Sequence, residues 1–129
     1  MRKVILFSVL IAATLASWSQ GISSASPTLV PGTDNLYIWN YSEFDTLNVT
    51  HSDAFRFCNS YGEGWRLPTT KELEYLWQYR YELNFSARHY WTSEQVNHKL
   101  EFYYVNFTNG KTGTEPYKKK NYVRCVLTK

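Results

Sequence analysis

Three consecutive lysines, Lys118, Lys119 and Lys120, are the strongest chemical signal in the chain. Lys111 and Arg124 lie close to them in sequence, and Tyr117 and Tyr122 bracket the run. Ammonium groups at this density attract sulfate and carboxylate groups, and added salt weakens that attraction. The flanking tyrosine rings offer faces on which sugar rings can lie. The competing reading of the same residues is a solvated, solubilising loop. The charge is local. The formal net charge is +3, and setting aside Arg2 and Lys3 leaves +1. From Gln20 to Gly110 there are 6 basic and 10 acidic residues, whereas from Lys111 to Lys129 there are 6 basic and 1 acidic. A chain without global basic character is not expected to bind nucleic acid. A basic end points to a confined anionic partner.

Other reactive side chains form no catalytic pattern. His51, His89 and His98 stand in neither zinc-type nor triad-type spacing, and no Gly-rich phosphate loop occurs. Ser93, Glu94 and His98 could meet in space, as many surface residues could. An enzyme is therefore the least supported class, and a cleft holding a titratable group beside an orienting partner is what would reopen it. The sequence asks for no cofactor and no metal.

The two cysteines are Cys58 and Cys125. Met1, Arg2 and Lys3, the apolar run Val4 to Ala16 and the small residues Ser17, Ser19, Ser23, Ser24 and Ala25 follow the order of a secretory signal peptide. We expect a leader over residues 1–19, with a cut possible as late as 25. The apolar run, about 13 residues, is short for a comfortable bilayer span, and a retained membrane anchor is the competing reading. Export places the cysteines in an oxidising compartment, where a disulfide is the expected state. It would close a loop of about 68 residues, worth about 4 kcal/mol in the chain-entropy account. With 11 Tyr, 7 Phe and 5 Trp, large rings supply the core area that a small domain otherwise lacks.

The elements that position these groups follow from punctuation and period. Residues 20–35, with Pro27, Pro31 and Gly32, read as a linker, and the folded domain as residues 36–129. Leu36 to Trp39 reads as a strand. Thr50 is the expected cap of a first helix with Asp53 in its first turn. Ala54, Phe57, Cys58 and Tyr61 lie on one face of it, and Gly62 and Gly64 end it. Thr69 and Glu72 predict a capping box for a second helix over Thr70 to about Tyr81, with Leu73, Leu76, Trp77 and Arg80 at helical spacing. Tyr90 to Ser93, Leu100 to Phe107 and Tyr122 to Leu127 read as strands, with Asn109-Gly110 as a turn. Alternation sends Tyr90 and Thr92 to one side and Trp91 and Ser93 to the other. The fold class is α+β.

Four segments in this order resemble the Lcl C-terminal-like domain, a bacterial branch of the C-type-lectin-like fold named for a collagen-like adhesin. They are the helix around Ala54 and Cys58; Gly64-Trp65-Arg66-Leu67-Pro68-Thr69 with Glu72-Leu73; Tyr90-Trp91-Thr92-Ser93; and Val123-Arg124-Cys125-Val126. The resemblance spans about Leu36 to Lys129. It implies two short helices packed on a small antiparallel sheet, stapled by Cys58–Cys125, with loops that carry recognition. For the namesake it implies binding of sulfated polysaccharide through positive charge. The collagen Gly-x-y repeat of the namesake has no counterpart in this sequence. Calcium-dependent lectins of this fold are similar in carrying a Glu-Pro-Asn-type loop and a Trp-Asn-Asp-type strand. Here Glu115-Pro116 runs into Tyr117 and the lysines, and no Trp-Asn-Asp occurs. A hard cation wants several oxygen ligands, so no calcium site is expected.

These readings lead to a secreted, periplasmic or cell-surface, adhesin-like domain that binds an anionic or cell-surface polysaccharide, glycosaminoglycans included, without calcium. Lys111, Lys118, Lys119, Lys120, Arg124 and Tyr117 are the expected ligand contacts. Trp65, Arg66, Leu67, Pro68 and Trp91 are expected to be structural, Arg66 by bonding carbonyls or a carboxylate. The alternative is an envelope protein-interaction or structural module with no glycan ligand. Asn40, Asn48, Asn84 and Asn106 each open an Asn-x-Ser/Thr sequon, which a eukaryotic host would be able to glycosylate.

Overall fold

The computed structural model describes residues 26–39 and 47–129. The expected leader, its later cut at 25, linker residues 20–25 and the Asn40 sequon lie outside the described residues. In chain order the elements are β1 (Thr28–Leu29), β2 (Leu36–Ile38), β3 (Asn48–Val49), α1 (His51–Asn59), β4 (Trp65–Arg66), α2 (Thr70–Trp77), β5 (His89–Gln95), β6 (Glu101–Asn106), β7 (Lys111–Pro116), β8 (Asn121–Tyr122) and β9 (Val126–Thr128). They form two sheets, β1-β2-β9-β4 and β3-β8-β5-β6-β7. Every pairing is antiparallel except β5 with β8.

Several boundaries differ from the sequence reading, each for a physical reason. The fold takes in residues 28–35, which read as linker. Thr28 and Leu29 pair with Ile38 and Tyr37, and Val30 is fully buried. The breakers Pro31 and Gly32 make a hairpin turn, pinned where the Tyr75 hydroxyl donates to the Pro31 carbonyl at 2.7 Å. Thr50 takes the extended N-cap conformation, but its side chain makes no cap bond. α2 stops at Trp77, because the next amides bond three residues back and Arg80 donates to the Trp77 carbonyl at 2.8 Å. β7 had no sequence signal. It is an edge strand with no apolar alternation, and Pro116 is tolerated at its end for that reason. Tyr122 to Leu127 is two strands rather than one. β8 belongs to the larger sheet and β9 to the smaller, and residues 123–125 carry the chain between them.

α2 shows how the motif Trp65-Arg66-Leu67-Pro68 works locally. Thr69 and Glu72 close a full capping box. The same Glu72 carboxylate accepts two bonds from the Arg66 guanidinium, each 2.8 Å. Arg66 also donates to the Leu67 carbonyl at 3.3 Å and the Thr128 hydroxyl at 2.8 Å. One bidentate pair thus joins β4, the α2 start and β9. Burial pushes the Glu72 carboxyl up, but Arg66 and the Thr69 amide outweigh it and hold it below the usual carboxylate range. Gly64, just before Trp65, has φ +87°, and a Cβ there would lie 2.9 Å from Leu127 and 3.1 Å from the Thr128 carbonyl. No larger residue fits that approach.

The interior is in two parts. Leu73, Leu76, Leu83, Tyr90, Val105 and Phe107 pack with Ile38 and Val126 in one. Ala54, Cys58, Trp65, Leu67, Trp91, Val123, Cys125 and Leu127 make the other. β5 divides them: Tyr90 enters the first, Trp91 the second, and Thr92 is buried with them while Ser93 is exposed. In the second part Cys58 of α1 is bonded to Cys125, with Cα atoms 5.3 Å apart. Trp91 donates its indole N–H to the Val49 carbonyl at 2.8 Å. The His51 ring stacks on Phe102 and bonds the Thr92 carbonyl at 2.8 Å.

Arg124 corrects the sequence reading. Only 1% exposed, it is no surface contact. Its guanidinium donates to the carbonyls of Leu83 (2.7 Å), Asn84 (3.3 Å) and Trp39, and lies over the Phe85 ring at 4.5 Å. A fork that satisfies several carbonyls at once is drawn inward, where a single positive charge is spread over bonded oxygens.

Three expectations follow. Reduction of the disulfide, or the paired change Cys58→Ala with Cys125→Ala, lowers the urea-unfolding free energy by about 4 kcal/mol. Arg124→Met leaves buried carbonyls without donors and lowers it by about 3 kcal/mol. Burial holds the His51 imidazole below its ordinary 6.5, offset only in part by the Thr92 carbonyl. The unfolded chain therefore takes up a proton that the folded one resists, so the His51 contribution is intact above pH 6.5 and is lost as pH falls toward the depressed folded value. Unfolding measured across that range has a shallower pH slope in His51→Gln.

Candidate functional site

Lys118, Lys119 and Lys120 follow the end of β7 in an exposed turn, closed where the Lys119 amide donates to the Pro116 carbonyl at 3.0 Å. Tyr117 opens the turn and is 37% exposed, with the Lys118 ammonium 5.8 Å from its ring centroid. The loop runs from the outer edge of the larger sheet back to β8. Lys120 thereby lines a cleft of about 320 Å³ together with Asn48, Arg88, His89, Thr108 and Asn121. Among the described residues, no carboxylate lines this cleft. Neither Arg88 nor Lys120 makes an ion pair among the described residues. Arg88 is steered by the Tyr122 ring, 5.6 Å from its guanidinium carbon.

Lys111 lies at the opposite end of β7 from the lysine turn, yet on the cleft side. It pairs with Asn106, which pairs with His89. These three stand in one row on one face, so Lys111 is two strand spacings, about 10 Å, from His89. Of the five cations expected from sequence, the turn lysines share one loop, Lys111 flanks the cleft from the sheet edge, and Arg124 is interior. Arg88, His89 and Asn48 are site residues that sequence reading missed. Arg88 and His89 are neighbours, but no sequence pattern links them or Asn48 to the lysines, and only the pairing of β8 with β3 and β5 brings them to Lys120.

The one acid of this region is turned inward. Glu115 accepts from the Asn121 amide at 2.7 Å, and its other oxygen is 3.3 Å from the His89 ring. Its side chain is 15% exposed. The His89 ring stacks on Tyr104 at 4.2 Å, and Tyr104 lies flat over Gly113, where a Cβ would come within 2.5 Å of its hydroxyl. An imidazole beside a carboxylate is the geometry of an oriented base. No Ser, Thr or Cys side chain is bonded to the other ring nitrogen among the described residues. The pair instead anchors Glu115, and with it the start of the basic turn.

Two larger clefts have different chemistry. One, of about 500 Å³, is lined by Thr70, Lys71, Glu74, Glu94, Tyr103 and Thr112, and its carboxylates are bonded to the Thr70 amide and the Thr112 hydroxyl. The other, of about 470 Å³, surrounds the Arg66–Glu72 pair. Neither concentrates unpaired cations. Among the described residues, no three His, Cys, Asp or Glu side chains converge where a metal ion would sit.

Residues 13–127 match the family model of the Lcl C-terminal domain. No curated protein matches the sequence. Among solved structures, the crystal structure of botrocetin is similar, with a TM-score of 0.54 and 14% identity, covering 79% of this chain and 100% of that one. At that identity the likeness shows the fold alone. The order of strands and helices, the disulfide and the family match agree: the chain belongs to the Lcl C-terminal domain family and has the C-type-lectin-like fold.

Proposed function

We propose that this chain is an exported binding domain that captures an anionic polysaccharide without calcium, in the manner of an adhesin. The observation that carries the reading is the cleft in which Lys120 and Arg88 stand with Asn48, His89 and Asn121, while Glu115 is not among its described lining and is bonded to Asn121 and His89. Two cations that make no ion pair among the described residues, with several N–H donors in a concave site whose described lining has no carboxylate, suit a sulfate or carboxylate group on a sugar ring. Lys118, Lys119 and Lys111 would extend the positive field along the chain of a polymer, and Tyr117 would present a ring face beside it. The fold supports binding as the activity, and the disulfide is compatible with an extracellular location.

On a heparin column developed with salt, the oxidised domain is expected to be retained, with the same elution point in calcium and in a chelator. Lys118→Ala, Lys119→Ala and Lys120→Ala together remove exposed ion pairs worth about 0.5 to 1 kcal/mol each, so affinity falls about tenfold or more and elution moves to lower salt. Arg88→Ala moves it in the same direction. An unchanged elution point in both variants would overturn the assignment. A single stoichiometric protein partner from the envelope, bound with indifference to glycans, would replace it with a protein-interaction module.

A further inference from the structure

The hairpin between β5 and β6 ends in a turn over residues 96–100 that is fixed by its own bonds. The Val96 amide donates to the Glu101 carbonyl at 2.9 Å, the Lys99 amide to the Val96 carbonyl at 3.0 Å, and the Gln95 side chain to the Lys99 carbonyl at 2.7 Å. His98 takes φ +55° within it. This rigid turn presents Leu100 to solvent with 65% of its surface exposed. The Tyr117 amide donates to the Leu100 carbonyl at 2.8 Å, so the pairing of β6 with β7 continues one residue past Glu101 and Pro116. Leu100 and Tyr117 therefore stand opposite each other at one tip of the larger sheet, both exposed. Lys99 precedes the first, and Lys118 and Lys119 follow the second, all exposed. Of the acids nearest in sequence, Glu101 is half-buried, and Glu115 is bonded to Asn121 and faces His89.

We propose that this tip seats on an anionic phospholipid surface, with the Leu100 side chain entering the boundary between headgroups and acyl chains and the Lys99, Lys118 and Lys119 ammonium groups resting on lipid phosphates. An aliphatic side chain inside a frame of cations matches a bilayer surface, which offers apolar depth and negative charge at the same place. A sulfated sugar would use the lysines and leave Leu100 in water. A protein partner of ordinary size needs about 800 Å² from each side, far more than one Leu and one Tyr supply. With so little apolar area the seating is peripheral and reversible. It is separate from polysaccharide capture in the cleft, although the two share lysines.

Vesicles of phosphatidylcholine with phosphatidylglycerol, and of phosphatidylcholine alone, sedimented with the oxidised protein, test this. Binding is expected to the anionic vesicles only and to weaken with salt. Leu100→Ser is expected to reduce that binding about tenfold while its thermal unfolding and its elution from heparin stay where they were. Leu100→Trp is expected to emit to the blue on anionic vesicles and to be quenched by brominated acyl chains. Equal vesicle binding by Leu100→Ser and the unaltered protein overturns the proposal, as does equal binding to the uncharged vesicles or none to either. Retention on heparin without vesicle binding overturns the tip alone, and vesicle binding without retention on heparin overturns the cleft alone.

Discussion

Between β8 and β9 the chain leaves one sheet and enters the other, and at that crossing it is held by a covalent bond and a buried cation. Cys125 is tied to α1 through Cys58. Arg124, its neighbour, takes the carbonyls of Trp39, Leu83 and Asn84. Val123 and Val126 on either side are fully buried. Two sheets and a helix meet over these few residues. The short strands β3, β4, β8 and β9 have too few ladder bonds to hold their positions alone, so the staple and the arginine fix where β8 lies. The place of β8 in turn decides where Asn121 and Lys120 stand.

The character of the surface around the lysine turn depends on where Glu115 points as much as on the cations beside it. Glu115 sits among six cations in the C-terminal segment, and on the surface it would cancel one of them. His89 and Asn121 instead hold it beneath the basic turn. Tyr104 and Gly113 make this possible, because the ring that supports His89 occupies the space that a side chain at residue 113 would fill. The turn of Lys118, Lys119 and Lys120 itself is left without a carboxylate.

Much of the fold was legible because its signals are local. The Thr69–Glu72 box, the Asn109-Gly110 turn and the apolar periods of α1 and α2 are short-range patterns, and the cysteine pair is a count. What was not legible depends on distant partners. Thr28 and Leu29 become a strand only because Ile38 and Tyr37 lie beside them. β7 is a strand because β6 offers it a ladder. Arg124 looked like surface charge because nothing in its neighbours announces the three carbonyls from elsewhere in the chain. The lysine turn could be read from composition, but Arg88, His89 and Asn48 are separated from it in sequence by tens of residues, and the cleft they share has no linear signature.

β5 sends consecutive large rings into different interiors, Tyr90 into one and Trp91 into the other. Most half-buried strands tolerate some freedom of alignment, since water accepts whatever turns outward. Here neither side is water at that point. A slip of one position would force the Trp91 indole to where the Tyr90 phenol accepts from the Ser86 amide, and would pull the same indole N–H away from the Val49 carbonyl. The central strand thus acts as a key cut on both edges. It locks the alignment of the larger sheet and leaves the loops at its rim free to vary in sequence without shifting the frame beneath them.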